Sequence, residues 1–117
     1  MIKRFEDLIA WQKAQELAIA IYGEFSTVKD YGFRDQITRA SVSISNNIAE
    51  GFDRNSKADF ARFLYFSFSS CSEVRSMLYL AEKLNYIDSG SRETIMSKAN
   101  EVSKILTGLI KAVKSND

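Results

Sequence analysis

Five cations, Arg34, Arg39, Arg54, Lys57 and Arg62, stand close together in the chain with the ring of Phe52 among them. Lysine and arginine neutralise phosphates and an aromatic face stacks on a base, so these residues are a candidate nucleic-acid surface. Asp35, Glu50, Asp53 and Asp59 share the stretch, and the competing reading is a solvated surface whose charges largely cancel. In a ring, several copies of one modest patch would be displayed together, and phosphate contacts add through counterion release.

A second group lies in ASVSISNNIAEG, where Ser41, Ser43, Ser45, Asn47 and Glu50 alternate with Val42, Ile44 and Ile48. One reading makes the serines small residues that let a helix approach its neighbours, their polar atoms bonded to backbone or to each other. The other makes Arg39, Asn47 and Glu50, with Glu73, a buried polar network that fixes helix register or oligomer contacts. Glu73 falls among Phe66, Met77 and Leu80. A carboxylate buried there needs a partner, and Arg39 is the candidate.

The missing residue types exclude more than the present ones assert. The chain has no histidine, which removes Ser-His-Asp and Cys-His nucleophilic sites, His-ligated zinc and the Glu-x-x-His pairs of di-iron bundles. Neither GxxxxGK[ST] nor GxGxxG occurs, so phosphate-cradling nucleotide loops have no support. The single cysteine, Cys71, forms no internal disulfide or CxxC pair and suits a reducing cytoplasm. No catalytic residue, metal ligand or cofactor is assigned, and the expected class is non-enzymatic. A magnesium site built from carboxylates alone stays open.

Sixteen basic and 15 acidic side chains leave a net charge of +1, so bulk charge does not indicate a strongly cationic binder. The amino terminus MIKRFEDLIAW mixes charges into its first turns and offers no signal peptide. The longest uncharged runs, ASVSISNNIA and FLYFSFSSCS, are too short and too polar to span a bilayer. The expectation is a cytoplasmic protein without a membrane partner.

Those residues must be positioned by helices. The chain is 117 residues long and lacks proline, the residue that most often interrupts helices. Apolar residues recur at three- and four-residue steps in four segments, which predicts helices over about 5–26, 33–51, 57–86 and 89–114 of one domain, 1–117. Gly51 is read as the left-handed terminator of the second helix, and Ser56 with Asp59 as a capping box opening the third. The third helix carries two seams. Phe60, Leu64, Ser67, Cys71, Val74, Leu78 and Ala81 form one, and Phe63, Phe66, Ser70, Glu73, Met77, Leu80 and Leu84 the other, with Tyr65, Phe68 and Tyr79 outside both. So wide an apolar arc exceeds what one side of a small bundle can cover. Phe63, Phe66, Phe68 and Met77 are therefore the candidate oligomer interface. The fourth helix repeats Ile95, Ala99, Val102, Leu106, Leu109 and Val113, with Lys98, Lys104, Lys111 and Lys114 mostly on its wet face, and the ending KSND is expected to fray. Short connections imply antiparallel neighbours, hence an all-α, up-down-up-down four-helix bundle.

The segments DLIAWQKAQELAIAIY, YGFRDQITRASVSISNNIAEG, RNSKADFARFLYFSFSSCSEV and AEKLNYI together resemble the four-helix-bundle family named for proteins encoded within intervening sequences of large-subunit ribosomal RNA. The strongest signature is SNNIAEG followed by Arg54, Ser56 and the Phe60 to Leu64 segment. The resemblance implies a bundle that assembles as a homo-oligomeric ring, of five subunits, with no established enzymatic activity. The accessory protein of diversity-generating retroelements is similar in fold and is understood to bind nucleic acid and a reverse transcriptase, which by analogy implies RNA or DNA as a partner. Ser45 stands where the family usually has proline, Thr38 and Arg39 where it has two arginines, and the first loop lacks its Phe-Pro. Two functional classes follow. One is a nucleic-acid-associated scaffold with salt-sensitive binding through its arginines. The other is a protein-interaction module that recruits a protein partner through apolar helix surface.

Overall fold

The computed structural model of the protein describes residues 1–115. A 3-10 turn at Phe5–Asp7 precedes four helices: α1 (Ile9–Phe25), α2 (Tyr31–Phe52), α3 (Lys57–Lys83) and α4 (Ser89–Ser115). They pack around a square in chain order and α4 closes against α1, with no diagonal pair in contact among the described residues. The result is a rod of 46 × 21 × 19 Å, about the length expected of its longest helices at 1.5 Å per residue. Opposed side chains fix the antiparallel register of α2 and α3: Gln36 meets Glu73, Ser43 meets Ser70 and Ser67 meets the carbonyl of Ile44.

Each helix buries the stripe its periodicity marks. Leu17, Ile21 and Phe25 of α1, Ile37, Ile44 and Ile48 of α2, Leu64, Val74 and Leu78 of α3 and Val102 and Leu106 of α4 are fully buried. The serines of α2 sit between these layers. Ser41 Oγ donates to the Thr38 carbonyl at 2.8 Å, and Ser45 Oγ donates to Val42 O at 3.3 Å while accepting from Gln15 Nε2 of α1 at 3.0 Å. Ser67 Oγ of α3 donates to Ile44 O at 2.8 Å, and the Cys71 thiol donates to Ala99 O of α4 at 3.3 Å. Small side chains whose hydroxyls find backbone partners let the helices approach without leaving buried polar atoms unpaired.

The ends differ from the sequence reading in three places. The amino-terminal helix is broken at Leu8, whose ψ of 127° is extended, so Phe5 packs back on Trp11 with ring centroids 5.4 Å apart. Gly51 is not left-handed, since no glycine has positive φ. It lies inside the last turn of α2, where an added Cβ would stand 2.5 Å from Phe63 Cβ. The chain uses its small size and not its freedom, and it brings α3 close at that corner. Finally, α3 stops at Lys83 and not near residue 86. Asn85 takes φ 62°, and the amides of Asn85 and Tyr86 bond the carbonyls of Glu82 and Ala81 at 3.0 and 2.9 Å, which is a Schellman ending with asparagine in the left-handed position.

Asp30 opens α2 and Ser56 opens α3 by accepting from the amides of Phe33 and Asp59, each at 3.1 Å. Asp88 accepts from Ser91 N at 2.7 Å at the start of α4. Helix α4 continues to Ser115, so of the expected frayed ending Lys114 and Ser115 are helical, and Asn116 and Asp117 lie outside the described residues.

Candidate nucleic-acid interface

The five candidate cations divide into two sets. Arg54, Lys57 and Arg62 gather where α2 turns into α3. Arg54 and Arg62 both lie on the ring of Phe63, with guanidinium carbons 4.8 and 4.9 Å from its centroid, and Arg62 also approaches Phe66 at 5.7 Å. Phe63 and Phe66 meet edge to face at 5.6 Å. Flat guanidinium groups resting on rings keep their donors aimed outward at modest entropic cost. Asp59 holds Arg62 at 3.2 Å and offsets part of its charge. Phe52 packs against Phe60 with centroids 5.7 Å apart and is half-buried, which removes it as an open stacking face.

Arg34 and Arg39 lie elsewhere. Arg34 lies in the first turn of α2 and Arg54 two residues past its end, so nearly the whole helix, about 27 Å, lies between them. Arg34 rests on Tyr31 at 4.7 Å and donates to Ser26 O at 3.4 Å. Arg39 lines a shallow polar groove on the outside of α2 with Tyr22, Asn46, Asn47 and Glu50. The expected buried network is therefore not formed within the chain. Arg39, Glu50 and Glu73 are exposed, and Glu73 accepts from Gln36 Nε2 at 3.2 Å. Asn47 turns back on its own helix, donating to Ser43 O and Oγ at 2.9 Å. The cause is register: α2 sets Gln36 opposite Glu73, while Arg39, three residues on, faces the α1 side beside Tyr22.

Of the interface candidates, Phe63 and Met77 belong to the chain's own packing, being 7 and 8% exposed, and Phe68 is half-buried against the core. Phe63 and Met77 are corrected to intramolecular contacts, because α3 packs on both α2 and α4 and needs an apolar arc wider than one seam, while Phe68 keeps a partly open face on the α3–α4 cleft. Phe66 stays outside. Leu80 and the C-cap residue Leu84 join it, at 44, 47 and 44% exposure for Phe66, Leu80 and Leu84.

Two lysines outside the candidate set are exposed, as the sequence placed them, and border a neighbouring cleft. Lys111 and Lys114 of α4 border a cleft with Tyr65 and Phe68 of α3, and Lys114 Nζ donates to the Tyr65 hydroxyl at 3.3 Å. The available signal was the absence of any Asp or Glu from residue 102 to residue 115 of the fourth helix. Among the described residues no group of three or more His, Cys, Asp or Glu could hold a metal ion, and no helix is long and apolar enough to cross a membrane.

The family model described as 23S rRNA-intervening sequence protein matches residues 6–108. The chain belongs to this family. A solved structure of a protein of unknown function from the S23 ribosomal protein family of Bacteroides thetaiotaomicron VPI-5482 is similar to it. That structure is 28% identical, superposes with a TM-score of 0.84, and covers 88% of this chain and 99% of its own. Among curated proteins none matches. Within the intervening-sequence family frame, the matched span takes in the whole α2–α3 corner and ends just short of Lys111 and Lys114.

Proposed function

We infer that this intervening-sequence family protein is a non-enzymatic module that assembles as a homo-oligomeric ring and holds RNA or DNA at the basic end of the bundle. The observation that carries the reading is the pair of guanidinium groups of Arg54 and Arg62 held on one ring, Phe63. Assembly is supported by the line of Phe66, Leu80 and Leu84, an apolar surface that a monomer in water has no use for. Five subunits is the count the family resemblance implies, and a ring arises whenever such a head-to-tail contact closes on itself. A ring would set several copies of the Arg54 and Arg62 pair side by side.

The test is a titration of labelled structured RNA and duplex DNA at low and near-physiological salt, with an Arg54→Ala, Arg62→Ala variant alongside and subunit count taken by light scattering. Binding that weakens steeply with salt and is lost in the variant supports the reading, because each phosphate contact adds about −0.7 to −0.9 to the log-log salt slope. No binding at low salt sinks it. The same exposed leucines favour the second reading, a protein-interaction module, which requires salt-tolerant capture of a protein and indifference to Arg54 and Arg62.

A further inference from the structure

The cleft between the start of α3 and the end of α4 differs in its lining from the grooves on α2 and on the other end of α4. Its floor is apolar, with Tyr65, Phe68 and Ile110, and Lys111 and Lys114 stand on its α4 side within a cavity of about 550 Å³. A second hollow of about 420 Å³ shares Tyr65 and Lys114 and adds Lys57, Arg62 and Phe66. The two adjoin at Tyr65 and Lys114 and are taken together as one groove. Cations flank its aromatic strip from both helices and no carboxylate is among its described lining residues. By contrast the grooves on α2 and on the other end of α4 hold Asp35 and Glu50, and Glu93 and Glu101.

We propose that this groove takes a single strand of nucleic acid, with a base on Tyr65 and phosphates on the Lys111 and Lys114 side; the proposal rests on the nucleic-acid reading above. Tyr65 is 47% exposed, and an open ring between cations of two helices is what a backbone with a splayed base needs. Lys114 lies over the Tyr65 ring at 5.5 Å and bonds its hydroxyl, so a phosphate arriving there finds the ammonium already held at the ring. A duplex keeps its bases stacked inside and cannot reach the strip, so the groove discriminates strandedness. An acidic peptide without aromatic residues satisfies the lysines but leaves the Tyr65 ring unstacked.

The experiment is fluorescence anisotropy with a labelled 15-mer oligo(dT) and a duplex of the same length, at 50 to 200 mM salt. Wild-type protein is compared with Tyr65→Ala, Tyr65→Phe and Lys111→Ala, Lys114→Ala, each checked for its fold by circular dichroism. The single strand should bind more tightly than the duplex. Tyr65→Ala should weaken it about tenfold, Tyr65→Phe should stay near wild type, and the double lysine variant should flatten the salt slope by about 1.4. Wild-type affinity in Tyr65→Ala, or equal affinity for the duplex, overturns the groove while leaving the basic end as a binder. Absence of binding by wild-type protein to every oligonucleotide overturns both readings. Displacement of the strand by a Glu- and Phe-rich peptide at lower concentration than unlabelled oligo(dT) assigns the groove to a protein and overturns the proposal.

Discussion

Replacing Gly51 by alanine tests whether the α2–α3 corner is as tight as the structure places it. An alanine Cβ there would stand 2.5 Å from Phe63 Cβ, 3.2 Å from a ring carbon of Phe60 and 3.4 Å from the Phe60 carbonyl oxygen. Carbon atoms rest about 3.5–4.0 Å apart, so the helices must part locally by roughly 1 Å. No rotamer relieves this, because the obstructing atom is the root of the Phe63 side chain and moves only with the α3 backbone. Such overpacking costs about 1–3 kcal/mol. Against it stands the gain from removing a glycine from a helix, up to about 1 kcal/mol and less in a last turn. The balance is a loss of about 1–2 kcal/mol, which in a chain of this size lowers Tm by roughly 3–6 °C per kcal/mol. The assay is a thermal melt followed by helical circular dichroism at one fixed protein concentration, since assembly makes Tm concentration-dependent. Gly108→Ala is the control. Gly108 is an exposed helical glycine with nothing within 4 Å of an added Cβ, so there the helix gain of about 0.5–1 kcal/mol should appear alone and raise Tm. If Gly51→Ala melts at or above the parent while Gly108→Ala rises as expected, the close approach of α2 and α3 is not real.

Two further outcomes follow from the chemistry of single groups. The Tyr86 hydroxyl donates to Asp30 Oδ2 at 2.7 Å and, with the Phe33 amide, holds that carboxyl below the usual carboxylate range, while the same bond raises the Tyr86 hydroxyl. A depressed carboxylate stabilises above its unfolded value, near 3.9, and the benefit goes as pH falls through the lower folded value. A raised phenol stabilises below about 10, and its benefit goes as pH climbs through the higher folded value. Tyr86→Phe should therefore melt below wild type between those limits, with the gap closing at acid and at alkaline pH; a gap that ignores pH would show the loss comes from packing on Phe33. Burial pushes the Cys71 thiol up to about 11, with Arg75 opposing weakly. Against a free thiol near 8.5 this leaves roughly two-hundredfold less thiolate at pH 8. Iodoacetamide should leave Cys71 intact in folded protein and modify it readily in denaturant, and rapid labelling of the folded state would contradict the buried site.

The helices were readable because apolar spacing is a local property that the core then uses: the Phe60 to Ala81 seam of α3 is buried apart from the half-exposed Phe60. The ends were harder, because one residue type serves two physical purposes. Gly51 reads as a terminator from its neighbours alone, and only the arrival of Phe63 from the next helix makes it a contact. Asn85 carried a usable signal, since asparagine tolerates the left-handed region and is followed by an apolar residue, but the third helix's apolar pattern ran on past it. The basic cluster failed for a different reason. Nearness in sequence is not nearness on a helix, and Arg34 is a helix length from Arg54. Lys111 and Lys114 are far from Arg62 in sequence, yet the antiparallel return of α4 sets Lys114 on Tyr65.

The apolar surplus of α3 ties the serines of α2 to the proposed assembly. Because Ser43 and Gly51 are small, α2 rides close on α3 and covers Phe63, while Phe66, Leu80 and Leu84, one step further round, are left outside. Phe66, Glu73 and Leu80 follow at seven-residue intervals, so the uncovered stripe is straight along a coiled-coil-like seam with one carboxylate at its centre. Glu73 is exposed and accepts a hydrogen bond from Gln36 across the α2–α3 seam. In an assembly that covers the stripe, that carboxylate would lose water and require a cation from the neighbouring subunit. Leucine alone would tolerate sliding of one copy past another, whereas a single charge amid apolar residues admits one register. The polar residue that looked misplaced in an apolar seam is then the feature that would make the contact between copies specific.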